Sequence, residues 1–184
     1  MVDSITTEMI RNKFEALLTE MRFVLIRSAY STLMRESRDC SFGICAAGGE
    51  MPFQSTTHLY IYSQAAQRLL AKVPAGELHE GDMFIGNDPH EIGIPHSPDV
   101  MVIAPVIFKG SLVGFCGWIA HKFDFGGAVA GSAHSGATEI YQEGLILPLV
   151  KFYDRGNVVS QVEDVIRANV RNPDLVLGDL GAQV

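Results

Sequence analysis

The sequence predicts an α+β fold in which a long N-terminal helix packs on a mixed, largely antiparallel sheet with short additional helices. The first observation is that apolar residues recur at steps of three and four over residues 4–36, where no Gly or Pro occurs. This spacing is typical of an amphipathic helix. The second observation is a pair of apolar runs, residues 101–108 and 111–120, separated by Lys109 and Gly110. That pattern favours an antiparallel hairpin.

Shorter elements are expected around this frame. Asp3 or Ser4 can cap the start of the long helix. Residues 39–51 switch to short apolar runs and reach a glycine pair, as a strand entering a turn does. Two more helices are expected, one starting at Ser63 and one capped by Ser160. Because both hairpin strands are apolar on nearly every residue, both faces of the sheet are expected to be covered.

Length and composition indicate a single domain, residues 1–184, which is either a split subunit or part of a longer one. The chain is 47% hydrophobic and 19% charged, so part of its surface is expected to be buried against another protein. The net charge of −7 disfavours nucleic acid and anionic membranes as partners. No run of about 18 apolar residues occurs, so no membrane span is predicted. The three cysteines lack the spacing of a disulfide framework, and the start of the sequence lacks an apolar signal segment. Both observations lead us to expect a cytoplasmic protein.

Three His-x-x-Asp pairs are the features most indicative of chemistry. His96 lies in a proline-rich loop before the first hairpin strand, Asp99 lies at the entrance of that strand, and His121 ends the second strand. Antiparallel pairing sets the start of one strand beside the end of the other, so Asp99 is expected next to His121. Asp39, at the junction between the long helix and the next strand, could join them. Imidazoles and carboxylates that converge in this way suit one divalent metal such as Zn, Mn or Fe.

Plainer interpretations of these residues remain open. A His and an Asp three residues apart often form only a local hydrogen bond, and the pair His79 and Asp82 is expected to be a solvated turn. Glu139 and Glu143 could share a helical face with one of them serving as acid or base, or both could be solvated. No phosphate-binding loop and no Gly-x-Ser-x-Gly elbow occurs, so nucleotide chemistry and serine hydrolysis have no motif in this chain.

Five blocks in order, RESRDCS, GDMFIGNDP, PHSPDV, GATEIYQEGLILPLVK and NVRNPDLVLGDLGAQ, resemble the N-terminal part of the hydantoinase B/5-oxoprolinase family. That family includes the acetone carboxylase alpha, N-methylhydantoinase and caprolactamase large subunits. The resemblance implies a two-component enzyme. A partner ATPase subunit of actin-like fold (hydantoinase A type) uses ATP to activate a carbonyl or lactam oxygen, and the subunit similar to this chain carries a metal.

The resemblance also implies roles for individual residues. The metal ligands of the family fall on His96, Asp99 and His121, and Asp39 matches the acidic residue of a further block. Asp124 is implied as a base or as a partner of an imidazole, and Glu139 is retained with it as a candidate catalytic residue. Four departures, at His90, in the run GIP of residues 93–95, at Cys40 and at Lys122, are expected to alter the walls of the pocket.

The function expected from these observations is that of a metal-binding catalytic subunit, or part of one, in an ATP-dependent amidohydrolase. Its substrate would be a cyclic amide of the hydantoin, oxoproline or lactam type. One alternative is a subunit of an ATP-dependent carboxylase that acts on a ketone such as acetone or acetophenone. Another is a non-catalytic assembly subunit. Each of these places the chain in a hetero-oligomer.

Overall fold

The computed structural model describes residues 3–50, 53–54, 60–132 and 134–184. The strands are β1 (Cys40–Ala46), β2 (Phe53–Gln54), β3 (Met83–Gly86), β4 (Asp99–Phe108), β5 (Ser111–His121), β6 (Val150–Asp154) and β7 (Asn157–Val158). The α-helices are α1 (Ser4–Ser28), α2 (Ile61–Lys72), α3 (Pro89–Ile92), α4 (Ser160–Asn169) and α5 (Pro173–Gln183). Among these residues no helix is both long and apolar enough to cross a membrane.

The described strands form one sheet in the order β2-β1-β5-β4-β3-β6-β7. Every pairing between neighbours in this sheet is antiparallel. The α+β class and the long N-terminal helix are therefore confirmed, and the sheet is fully antiparallel over the part of the chain described.

The hairpin of β4 and β5 is the centre of the sheet. Lys109 and Gly110 both have positive φ, 51° and 77°, as a two-residue turn that follows the twist of the strands requires. A β-bulge interrupts the pairing after Phe108↔Ser111 and Ile107↔Leu112, and it leaves Val113 without a partner. Beyond the bulge the register runs from Val106↔Gly114 to the end of the hairpin.

Helices cover both faces of the sheet, as the apolar strands predicted. Along β4, Val100 and Val102 pack with α1, α4 and α5 on one face, whereas Met101 and Ile103 pack with α2 and α3 on the other. The alternation follows from the two-residue period of a strand. Each face therefore has its own apolar core, and the sheet between them is held from both sides.

The long helix ends earlier than the periodicity predicted. α1 stops at Ser28, and Ala29 is extended with ψ of 142°. The cause is Asp179 of α5, whose Oδ1 accepts hydrogen bonds from the backbone N–H groups of Tyr30 (2.7 Å) and Ser31 (2.9 Å). A single π-helical turn, Leu33–Ser37, then leads to β1. The expectation of one helix to residue 36 is wrong, because a carboxylate distant in sequence accepts hydrogen bonds from the backbone N–H groups at the break.

Helix starts also differ in detail from the sequence patterns. α2 begins at Ile61, two residues before Ser63. Ser160 is the first residue of α4, and Val159 is its N-cap. Asn172 and Pro173, which follow α4, start α5: the Asn172 side chain accepts a hydrogen bond from the Leu175 N–H at 3.3 Å, and proline suits a first helical turn.

Asp82, expected in a solvated turn, is instead 1% exposed. Its carboxylate accepts hydrogen bonds from the backbone N–H groups of His79 and Arg155, both at 3.0 Å, and from Lys151 Nζ at 3.1 Å. Burial raises the pKa of Asp82, but these hydrogen bonds outweigh burial, so the pKa lies below its ordinary value. The carboxylate thereby joins the start of β3 to the turn between β6 and β7.

Replacing Asp82 with alanine is expected to lower the free energy of unfolding by about 2–3 kcal/mol, because it leaves buried donors unpaired. Asp154→Ala is the matched control, since Asp154 binds the same Lys151 Nζ but is exposed, and a loss below about 1 kcal/mol is expected. Urea unfolding at pH 7 measures both.

The effect of Asp82 has a defined pH dependence. Its pKa is lowered in the folded chain, so its stabilisation is present above the ordinary pKa and disappears as the pH falls through the folded value. The gap between wild type and Asp82→Ala should therefore narrow below about pH 4. Equal unfolding free energies of Asp82→Ala and Asp154→Ala at pH 7 would contradict this account.

Candidate metal centre

Three adjacent strands bring their polar residues to one end of the sheet. Asp99 is the register partner of His121 in the β4–β5 hairpin, and the His121 backbone N–H donates to the carbonyl of Asp39, just before β1, at 3.1 Å. Since side chains alternate along a strand, Asp99 and His121 lie on the same face as Met101 and Ile119. The expected convergence follows from the order β1-β5-β4.

His96 reaches the same place from the loop before β4. The Asp99 backbone N–H donates to the His96 carbonyl at 3.1 Å, which closes a turn, and the same loop is bound to β5 because Pro98 accepts from the Lys122 N–H at 2.8 Å. The His96 and His121 rings lie 4.9 Å apart between centroids. The turn and the prolines therefore fix the imidazole of His96 beside the end of the hairpin.

The Asp99 carboxylate lies between the two imidazoles. Its Oδ1 is 3.0 Å from His121 Nδ1 and its Oδ2 is 3.2 Å from His96 Nε2. One ligand atom from each of these three residues lies within 4.8 Å of the other two. Two imidazole nitrogens and one carboxylate oxygen form a donor set that Zn, Mn and Fe accept. The residues therefore fit the divalent metal that the sequence predicted.

Electrostatics keep the carboxylate of this cluster ionised. Burial raises the pKa of Asp99, but hydrogen bonds with His121 and His96 outweigh burial and lower the pKa to about 2. The hydrogen bond to Asp99 in turn raises the pKa of His96, although burial opposes this. Asp99 is thus negatively charged at neutral pH, as a metal ligand must be.

Asp39 lies at the rim of the cluster. Its Oδ2 is 4.0 Å from His121 Nδ1, and its side chain is 65% exposed. It stands outside the group of three residues whose ligand atoms lie within 4.8 Å of one another. A role for Asp39 as a fourth ligand stays a prediction, and its exposure leaves the carboxylate accessible from solvent.

Asp124 anchors the loop that follows β5. Its carboxylate is buried and accepts hydrogen bonds from the Gly126 and Gly131 N–H groups, both at 2.9 Å, and from Arg171 at 3.0 Å. Both oxygens are thus occupied by the loop and by Arg171. A role for Asp124 as base stays a prediction, and it would require the carboxylate to give up one of these hydrogen bonds. Arg171 was not singled out in the sequence, although it lies in the block NVRNP.

The two glutamates of the block ATEIYQEG are in different environments. Glu139 is exposed and precedes a single 3₁₀ turn, Ile140–Gln142. Glu143 follows that turn and is half-buried, and its charge contributes to raising the pKa of His96. The segment of Glu143 packs against the loop of His96, since a Cβ on Gly144 would lie 3.3 Å from Ser97 Oγ. A catalytic role for Glu139 stays a prediction.

Asn87 is a positioning residue that the sequence analysis missed. It is fully buried, and its Nδ2 donates to the carbonyls of Ser97 (2.5 Å) and Leu145 (2.8 Å). Its Oδ1 accepts from the Leu147 N–H at 2.6 Å. Asn87 thus joins the end of β3 to the loop of His96 and to the segment that follows Glu143. The sequence feature that could have identified Asn87 is its position in the family-like block GDMFIGNDP.

Two departures from the family pattern do not line the candidate site. Cys40 packs in the core on the opposite face of the sheet. Lys122 is fully buried, burial lowers its pKa to about 7, and its Nζ donates to Gln183 of α5. The expectation that these two residues alter the pocket walls is wrong, because alternation along the strands turns them away from His121. His90 is exposed on α3.

Comparisons with known proteins agree with the fold and the motifs. The family model described as hydantoinase B/oxoprolinase matches residues 3–184. Caprolactamase subunit beta of Pseudomonas jessenii is 32% identical over 99% of this chain, which spans 32% of that protein.

Two solved structures share the architecture. The crystal structure of the ATP-dependent caprolactamase from Pseudomonas jessenii matches with a TM-score of 0.89 and 31% identity, over 100% of this chain and 32% of that one. The nucleotide-free acetone carboxylase matches with a TM-score of 0.87 over 98% of this chain and 24% of that one, at 21% identity, which shows the fold alone. This chain thus spans about a third of the caprolactamase subunit. With the family model matched over nearly its whole length, the chain belongs to the hydantoinase B/oxoprolinase family.

Proposed function

We propose that this chain is the metal-binding catalytic part of an ATP-dependent amidohydrolase that acts on a cyclic amide. The observation that carries the proposal is the cluster of His96, Asp99 and His121, whose ligand atoms lie within 4.8 Å of one another. Membership of the family supports it, as does the similarity to a caprolactamase, whose name states a cyclic amide as substrate.

The residues of the cluster would have distinct roles. His96, Asp99 and His121 would hold a divalent ion such as Zn, Mn or Fe, with Asp39 at the rim. When bound, such an ion supplies a Lewis acid for a carbonyl oxygen. Asp99 contacts both imidazoles and so fixes their orientation, as carboxylates do at many metal sites. The exposed side of the cluster, next to Asp39, is where a substrate can enter.

ATP would be used by a partner of actin-like fold (hydantoinase A type), and the complex would be a hetero-oligomer. The outer face of α1 supports an assembly, because several large apolar side chains on it are solvent-exposed in the isolated chain: Ile5, Met9, Ile10, Phe23 and Val24. Apolar patches of this kind mark interaction surfaces.

Carboxylation of a ketone is the second candidate reaction. The observation in its favour is the fold similarity to acetone carboxylase. Amide hydrolysis is preferred because the relative with the higher identity is a caprolactamase. A purely structural subunit is the third candidate, and the ionised Asp99 between two imidazoles argues against it.

Metal content gives the first test. Wild-type protein purified without chelator is expected to hold about one Zn, Mn or Fe per chain, and His96→Ala and His121→Ala are expected to lose it. His90→Ala is the control, because His90 is an exposed histidine outside the cluster. Elemental analysis measures the metal, and thermal unfolding verifies that each variant is folded. A metal-free wild type, with both variants folded as wild type, would refute the metal centre.

Activity gives the second test. Coexpressed with a hydantoinase A-type ATPase, the chain is expected to hydrolyse a lactam only with ATP, and a chelator should abolish turnover until metal is restored. Asp99→Asn should reduce turnover by at least about 100-fold, since even outer partners of metal ligands cost up to this much. Carboxylation of acetone in place of lactam hydrolysis would select the second candidate. Wild-type binding of the ATPase with neither reaction would select the structural subunit.

A further inference from the structure

We propose that Glu143 is the general base of this site, and that the loop anchored by Asp124 and Arg171 positions it. This proposal rests on the proposed function, since a base is needed only if the cluster carries out hydrolysis. It assigns the proton transfer to neither Glu139 nor Asp124. Four features of the structure support it.

The first feature is where the backbone of Glu143 lies. Residues 142–145 are hydrogen-bonded to the loop after β5, through Ala128 N–H to the Gln142 carbonyl and Leu145 N–H to the Phe125 carbonyl, both at 2.8 Å. Gly144 packs against the neighbour of His96: a Cβ on Gly144 would lie 3.3 Å from Ser97 Oγ. Glu143 is therefore held next to the loop that carries His96.

The second feature is the close approach that Gly127 allows. A Cβ on Gly127 would lie 2.5 Å from the Gln142 carbonyl oxygen and 2.8 Å from the carbonyl carbon of Glu143. Gly127 also has φ of +85°, which glycine adopts without strain. A side chain at Gly127 would push Glu143 away, so the glycine is required for its position.

The third feature is the support behind this loop. Arg171 donates to the Gly127 carbonyl at 2.7 Å and to the Asp124 carboxylate at 3.0 Å. Asp124 in turn accepts from the Gly126 N–H at 2.9 Å. These charge-assisted hydrogen bonds fix the loop on which Glu143 rests. Asp124 and Arg171 are therefore positioning residues.

The fourth feature is that the Glu143 carboxylate has no hydrogen-bond or ion-pair partner among the described residues. Over the residues described, the structure records no hydrogen bond or ion pair for this half-buried side chain, and it lies outside the ligand cluster. The next residue, Gly144, lies against Ser97, the neighbour of His96. An unpaired carboxylate outside the ligand set, on a segment that packs against the His96 loop, can accept a proton during the reaction.

The proton balance of hydrolysis gives Glu143 a defined step. Water attacks the carbonyl carbon of the amide and loses one proton to a Glu143 oxygen as the new C–O bond forms. The C–N bond then breaks with its electron pair on nitrogen, and Glu143 returns the proton to that nitrogen. One water and one amide become a carboxylic acid and an amine, and Glu143 ends as it began.

The test compares Glu143→Gln with the rival Glu139→Gln and with the control Glu77→Gln in the complete complex with its ATPase, on a lactam substrate. Glu143→Gln should lower kcat by about 10²–10⁴-fold, the range that a general base contributes. Glu77→Gln should remain within about threefold of wild type, because Glu77 is exposed and outside the site. Zinc affinity, measured by competition with a chelator, should stay within about 100-fold of wild type in the Glu143 and Glu139 variants, because loss of an outer group typically costs 10–100-fold. Glu143→Ala should recover activity with added formate, and Glu139→Ala should not respond.

Each outcome bears on the proposal. Near wild-type turnover of Glu143→Gln would overturn it, and so would loss of zinc as complete as in His96→Ala, which would make Glu143 a ligand. A large loss in Glu139→Gln would transfer the role to Glu139. If wild type binds no zinc and hydrolyses no lactam, the proposed function fails and this inference fails with it. Wild-type activity with an active Glu143→Gln overturns this inference alone.

Discussion

The β-bulge at Val113 is the constraint on which the candidate site depends. Next to the turn, Phe108 pairs with Ser111, and a hairpin continued in that register would place Asp99 opposite Ala120. The unpaired Val113 shifts the register by one residue, so that Asp99 pairs with His121. A shift of one residue also exchanges the faces on which paired side chains lie. The bulge therefore decides whether the carboxylate and the imidazole meet.

The rest of the site is attached to this hairpin by buried polar groups. Asn87 binds both the loop of His96 and the segment after Glu143. Arg171 and Asp124 fix the loop between β5 and that segment. Buried hydrogen bonds of this kind contribute modestly when formed but are costly when broken. The loops of the site are thus held to a rigid sheet, as precise positioning of reactive groups requires.

The predictable part of this structure is the part that local rules determine. The hairpin and its two-residue turn follow from the apolar runs around Lys109 and Gly110. Antiparallel pairing predicts that Asp99 and His121 lie at the same end of the hairpin, whereas their direct pairing depends on the bulge at Val113. The break after Ser28 was not predictable, because it depends on Asp179, about 150 residues away. The burial of Asp82 and the different exposure of Glu139 and Glu143 likewise depend on contacts between distant segments.

The alternation of side chains between the two faces of the sheet determines which departures from the family pattern can affect the candidate site. Cys40 and Lys122 each adjoin a residue of the candidate site, yet both project into the core with α1 and α5. Lys122 therefore affects how α5 is anchored, through Gln183, and neither residue forms a wall of the candidate site. Asp39 is solvent-exposed at the rim of the cluster, and Glu143 is half-buried on a segment that packs against the His96 loop. We expect differences in substrate among relatives to follow the surroundings of these two carboxylates, because both belong to segments next to the proposed metal centre.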